Sequence, residues 1–210
     1  MKIAELFFHP VTFFKSLGDE GFTPSLITFL IIYTIQQVLA ILVNLPQLLE
    51  SPLGNLVWLS TSLAFLLFIL IGLVIPFIAA AIIHVGVFVM NGQNGYLATY
   101  RVVTYSLVIG TIYSIVSTLG SALLYYSFPE STVISGTTLP ILIFSGLIGL
   151  VSLIHALYAE LHGMVMHQEL TLGKASVAVI LIPLALFLFI LFIVGITVGG
   201  VAALLHLGSL

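Results

Sequence analysis

Four histidines and a glutamate lie within long apolar runs of this chain: His84, then His155, Glu160, His162 and His167 close together. Imidazole and carboxylate are ligands for zinc, manganese or iron. Ionisable groups inside apolar segments are costly and face protein or water. On a helix, His155 and His162, seven residues apart, share one face. Glu160 and His167 share another by the same spacing, and His162 neighbours Met166 at i, i+4. A site of this kind would take one ligand, His84, from an earlier run. Against a metal stand several facts. There is no His-Glu-x-x-His motif and no cysteine, and the only aspartate, Asp19, lies outside the runs. His162 and His167 are five apart, which misses the i, i+4 register. The balance favours interhelical hydrogen bonds from His, Tyr and Glu, with an Arg101–Glu160 pair as the expected partner of the glutamate. No cofactor is expected, and a transition metal is the alternative.

The elements that must position these residues are set by composition. The chain is 61% hydrophobic and 5% charged, with a mean hydropathy of +1.33. Soluble domains are about one-quarter charged, so the apolar solvent must be a bilayer. Lipid offers the backbone no partners, leaving helices or closed barrels. Barrel strands alternate apolar and polar residues, whereas these runs are continuous Leu, Ile, Val, Phe and Ala. The expected fold is all-α: a polytopic membrane bundle of five transmembrane helices with an amino-terminal interfacial helix. The net charge of −3 offers no basic patch for nucleic acid.

The five runs cover about 25–43, 56–90, 96–126, 139–166 and 174–205, forming a membrane domain over 23–210. Thr23-Pro24 reads as a cap with a first-turn proline, and Leu45–Asn55 as a loop. The second run is about 50 Å long as a helix, against an apolar core of about 30 Å, and Pro76 is its expected kink. Residues 1–22 form an amphipathic leader. Pro10, Phe13, Phe14 and Leu17 recur on one helical face. Lying in the headgroup plane and packing on the bundle are equally consistent with that pattern. Tyr96, Tyr100, Tyr105, Tyr125 and Tyr126 suit interfacial belts. Ser106 and Ser114 are expected to bond their own helix backbone. Gly195-x-x-x-Gly199 permits close helix approach, at a dimer face or, the favoured reading, inside the bundle.

All four basic residues flank alternate ends of the runs: Lys2 and Lys15 before the first, Arg101 between the second and third, Lys174 between the fourth and fifth. Lys and Arg mark the cytoplasmic side. The expected placement is the cell membrane, with the amino terminus inside and the carboxyl terminus outside. Glu50 and Glu130 fall in the outside loops.

Four segments, in order, resemble the Yip family of five-span membrane proteins. They are His9-Pro10-Val11-Thr12-Phe13-Phe14-Lys15-Ser16-Leu17; the glycine-containing turn Asn91–Gly95 after His84; Ala98-Thr99-Tyr100-Arg101-Val102-Val103-Thr104-Tyr105-Ser106; and His167-Gln168-Glu169-Leu170-Thr171-Leu172-Gly173-Lys174-Ala175. The central turn carries two Asn-Gly pairs in place of paired glycines. The proline that often follows the Tyr-Ser pair is replaced by Val108-Ile109-Gly110. The resemblance implies a non-enzymatic membrane protein of the short, prokaryotic type, which organises membrane or binds partners, a membrane protein or a second copy of the chain among them. Pro10, Phe13, Phe14, Arg101, Tyr105 and Lys174 are its interaction residues. Binding of Rab-type GTPases is not expected, because the long soluble segment that accompanies it in eukaryotic members has no counterpart here. Two other classes remain open on the residues: an intramembrane His/Glu metal protein and a small lipid or solute transporter.

Overall fold

The structure, a computed structural model, describes residues 3–18, 20–49, 55–127 and 138–207, with side chains for 3–18, 20–46, 59–127 and 139–194. Lys2, Asp19, the loop residues Glu50 and Glu130, and the packing of Gly195 and Gly199 lie outside that description.

The described residues form helices α1 (Ile3–Phe8), α2 (Pro10–Ser16), α3 (Phe22–Leu49), α4 (Asn55–Val89), α5 (Tyr96–Ser127), α6 (Thr138–His167), α7 (Leu172–Ser176) and α8 (Ile182–Leu207). A π-helical turn, Val177–Leu181, joins α7 to α8. Five segments are long and apolar enough to cross a membrane: Phe22–Pro46, Leu59–Val89, Tyr96–Ser127, Leu139–His167 and Leu172–Val194. The expected five-span helical fold is therefore present.

Two boundaries differ from the expectation. Helix α3 begins at Phe22 rather than after a Thr23 cap, and it runs through Pro46 to Leu49. Pro24 still falls in the first turn, where the missing N–H goes unused. Helix α4 continues through Pro76 as a single helix of 35 residues. Pro183 has another accommodation. A proline deprives the carbonyl four residues earlier of its donor and crowds it. The wider π turn directly before α8 gives that crowding room.

Helix α5 is the centre of the bundle. It packs on α3, α4 and α6, and Ala98 through Ser106 is buried without a break. The outer faces of α4, α6 and α8 expose Leu, Ile, Val and Phe, the surface that a bilayer would cover. Tyr100 is 0% and Tyr105 6% exposed, so these two are core residues and not belt residues. Tyr125 and Tyr126 are exposed as expected.

The leader packs on the bundle, the second of its two sequence readings. Pro10 disfavours helical backbone at the residue before it, and His9 sits at φ −139°, ψ 59°. The chain therefore breaks there into α1 and α2. Leu6, Pro10, Phe13 and Phe14 are buried. Phe7 meets the Tyr113 ring at a tilt and the His155 ring edge-on, with ring centroids 5.2 and 5.0 Å away. Tyr113 is seventeen residues into α5, about 25 Å along its axis. The leader thus climbs the side of α5 and α6 instead of lying across their ends.

Candidate functional site

One end of the bundle is built by four segments: α2, the turn after α4, the first turns of α5, and the turn after α6. The turn after α4 has a sequence cause. Asn91 takes φ 60°, a conformation that Asn tolerates better than most residues. Gly92 N–H returns to Val87 O at 2.9 Å and Asn91 N–H to Phe88 O at 3.0 Å. These are the two bonds that close a helix with a left-handed residue at its end. A side chain at Gly92 would run into Val87 and the Gln168 amide.

Gln168 is the hub, with 0% of its surface exposed. Its Oε1 accepts Asn94 N–H at 3.1 Å. Its Nε2 donates to Gly95 O at 3.1 Å and to Thr99 Oγ1 at 3.0 Å. Its backbone carbonyl accepts Gln93 N–H at 3.1 Å. Asn94 Nδ2 returns to His167 O at 2.7 Å. His84 Nδ1 lies 2.9 Å from the same Thr99 Oγ1. The two turns are thus one hydrogen-bonded body with His84 joined to it. Glu169, with φ 53°, reverses the chain after α6. Thr171 then caps α7 by accepting Lys174 N–H at 3.4 Å.

The leader is docked beside this body. Phe14, 1% exposed, packs against the side of α6 that Gly163 leaves open. His167 Nε2 lies 3.0 Å from Phe14 O. Phe13 meets the Tyr105 ring edge-on at 4.9 Å. Arg101, 5% exposed, donates from Nη1 to Gly18 O at 2.6 Å. Tyr105 donates from its hydroxyl to Glu20 Oε2 at 3.4 Å. Lys174 is exposed on α7.

The histidines and Glu160 do not gather. His84 engages Thr99. His155 Nδ1 meets the Tyr113 hydroxyl at 3.1 Å. His162 Nδ1 meets Tyr158 O of its own helix at 2.9 Å. His167 holds the leader. Among the described residues, no three His, Cys, Asp or Glu side chains stand together in a way that could hold a metal ion. Glu160 is 8% exposed, and its Oε1 is buried without a hydrogen-bond partner. The expected Arg101–Glu160 pair does not form, because Arg101 turns to the leader. Ser106 and Ser114 bond the carbonyls of Val102 and Gly110, as their place on a membrane helix suggests.

The sequence reading missed Gln168, Thr99 and Asn94. Gln168 and Asn94 sat in turns read for composition and for the family resemblance, and neither was singled out. The signal available was two Asn-Gly pairs opposite an amide side chain, and nothing in one dimension says that they meet.

The segments that built the family resemblance are those that converge here: α2, residues 91–95, residues 98–106 and residues 167–175. The chain from residue 4 to residue 194 matches the model of the Yip1 domain. The protein belongs to the Yip1 domain family. Among curated proteins and solved structures nothing matches. In this Yip1 domain those four stretches are one structural unit, an end cap in which the leader and two turns are tied to the base of α5.

Proposed function

We propose that this Yip1 domain is a non-enzymatic membrane scaffold whose leader end faces the cytoplasm and docks a membrane-protein partner. The observation that carries the reading is the convergence of the four family-like segments into one hydrogen-bonded cap. A cap of this kind holds a fixed surface in place of loose loops. Exposed around it are Thr12 and Lys15 of α2, Gln93 and Asn94 of the first turn, and Glu169 and Lys174 of the second. Lys15, Arg101 and Lys174 all belong to this end, and basic residues favour the cytoplasmic side. That supports an amino terminus inside and, with five spans, a carboxyl terminus outside.

The reading includes no resident metal. His84, His155, His162 and His167 each engage a different group, and among the described residues no three His, Cys, Asp or Glu side chains stand together. A stoichiometric transition metal in detergent-purified protein would overturn this part.

The test uses the absence of cysteine. Single cysteines at Gln93 and Glu169 should react with a membrane-impermeant maleimide only from the cytoplasmic side, and one at Ser131 only from outside. A photo-crosslinker at Gln93 or Glu169 should give discrete adducts in native membranes, and one at the lipid-facing Leu147 should not. Labelling of Gln93→Cys from outside would sink the orientation. Equal crosslinking at Leu147 would sink the docking surface.

A further inference from the structure

A pocket of about 500 Å³ lies between α3, α5 and α6, in the half of the bundle away from the leader. Its lining residue Gln36 is fourteen residues beyond the start of α3, about 20 Å along the axis. Two links hold the walls. Tyr126 donates from its hydroxyl to Val43 O at 3.0 Å, joining α5 to α3. Ser121 Oγ meets Ser145 Oγ at 3.1 Å, joining α5 to α6, and the Phe144 ring fills the space beside Gly120.

The lining is polar and uncharged. Helix α5 contributes Ser114, Ser117, Thr118 and Ser121, spaced i, i+3, i+4 and i+7 on one helical face. Among the described residues, no Asp, Glu, Lys, Arg or His lines the pocket. Some of its polar groups are committed. Ser114 and Asn44 bond carbonyls of their own helices, as such groups do in membrane helices. Gln36 Oε1 accepts Gln37 Nε2 at 2.7 Å. Others are not committed. Among the described residues, the hydroxyls of Ser117, Thr118 and Tyr125 and the amide N–H groups of Gln36 make no hydrogen bond. None of these four residues is fully buried, so a ligand can reach them.

We propose that this pocket binds an uncharged polyol of about hexose size, a sugar ring carried by a membrane glycolipid or free in solution. The uncommitted groups select it. A hydroxyl both donates and accepts, and the amide N–H groups donate, a pattern that the adjacent hydroxyls of a sugar match. They lie in segments apolar enough to cross a bilayer, where lipid tails satisfy no polar group. A phosphate or an ammonium would meet no countercharge here, and an unpaired charge withdrawn from water is costly. Tyr125 and Tyr126 also line the pocket, 38% and 50% exposed. A tyrosine joins an apolar ring to a polar tip, as a sugar joins a C–H face to a rim of hydroxyls. The volume falls within the roughly 300–1,000 Å³ of small-molecule sites. The inference does not rest on the docking of a protein partner, and the pocket is remote from that surface.

Native mass spectrometry of the purified full chain tests it, in an amine-oxide detergent because a sugar detergent would compete. The probes are glucosyl diacylglycerol, diacylglycerol and phosphatidylglycerol with identical acyl chains, and free glucose. The glucosyl lipid should bind about tenfold more tightly than diacylglycerol, as one or two neutral hydrogen bonds imply. Ser117→Ala combined with Thr118→Val should erase that difference. Diacylglycerol binding and the melting temperature should not change, since neither hydroxyl ties the bundle together. Ala122→Phe, which fills the pocket, should also erase the difference. Glucose binding as tight as the glucosyl lipid supports a soluble sugar as the source, and much weaker glucose binding supports the lipid. Equal binding of glucosyl lipid and diacylglycerol overturns the proposal. So does a preference that survives the double variant, or tighter binding of phosphatidylglycerol that the same variant removes.

Discussion

Gln168 Nε2 donates to Thr99 Oγ1 at 3.0 Å across sixty-nine residues of sequence. The bond joins the turn after α6 to the first turn of α5. Because His84 meets the same hydroxyl oxygen, it also ties in the end of α4. Three helix ends are thus fixed by one buried amide.

Removing that amide should be costly. Gln168→Leu takes a donor from the Oγ1 of the fully buried Thr99, and a partner from Asn94 N–H and Gly95 O on the exposed turn. Buried polar groups left unsatisfied cost about 1–3 kcal/mol each. A fall in thermal midpoint in detergent should accompany faster amide exchange at residues 93–95. Glu169→Gln, one residue on but exposed, should leave both unchanged. If Gln168→Leu melts like the wild type, the cap is not held by this network.

The leader should behave as part of the core. Phe14→Ala removes a fully buried ring and should destabilise by about 3–5 kcal/mol. It should also open residues 3–18 to protease before the rest of the chain. Phe8→Ala is the control, since Phe8 is 71% exposed. Equal cleavage of the two variants would place the leader off the bundle.

Gly86 sets the approach of α4 to the π turn. A methyl there would run into the backbone of Ala178, which cannot move aside as a side-chain tip can. Gly86→Val should therefore lower the melting temperature, by an amount in the overpacking range of about 1–3 kcal/mol. Gly146→Ala meets nothing nearby, and Ala is the better helix former, so it should be neutral or stabilising. The comparison is a pair of melts in the same detergent.

Glu160 is a buried carboxyl whose Oε1 has no hydrogen-bond partner among the described residues. Replacing a poorly paired buried ionisable group by an uncharged residue of similar size is often neutral or stabilising. Glu160→Gln should keep or raise the melting temperature, and Glu160→Ala should leave a cavity and lower it. A large loss of stability with Glu160→Gln would show that the carboxylate has a structural partner.

Five spans, the leader helix starting at Pro10 and the turn at Asn91–Gly95 were all legible in the residues. Long continuous apolar runs leave the backbone no state but a helix in lipid. Proline marks a first turn, and an Asn-Gly pair marks a reversal. These are local constraints, and they act through neighbours in the chain.

The partners of the polar side chains needed the tertiary structure. Spacing put His155 and His162 on one helical face, and Glu160 and His167 on another. It did not say that His155 would meet Tyr113, that His167 would hold the leader at Phe14, or that Glu160 Oε1 would lack a hydrogen-bond partner among the described residues. Nor did it separate Tyr100 and Tyr105, in the core, from Tyr125 and Tyr126 outside. The reason is physical. Lipid tails and a protein core are equally apolar, so a membrane helix carries little record of which face turns inward. Each residue turns the helix face by about 100°, so the rotation of α5 and α6 about their axes decides every polar contact. That rotation is set by packing, and the amide of Gln168 reaches Thr99 only once it is fixed.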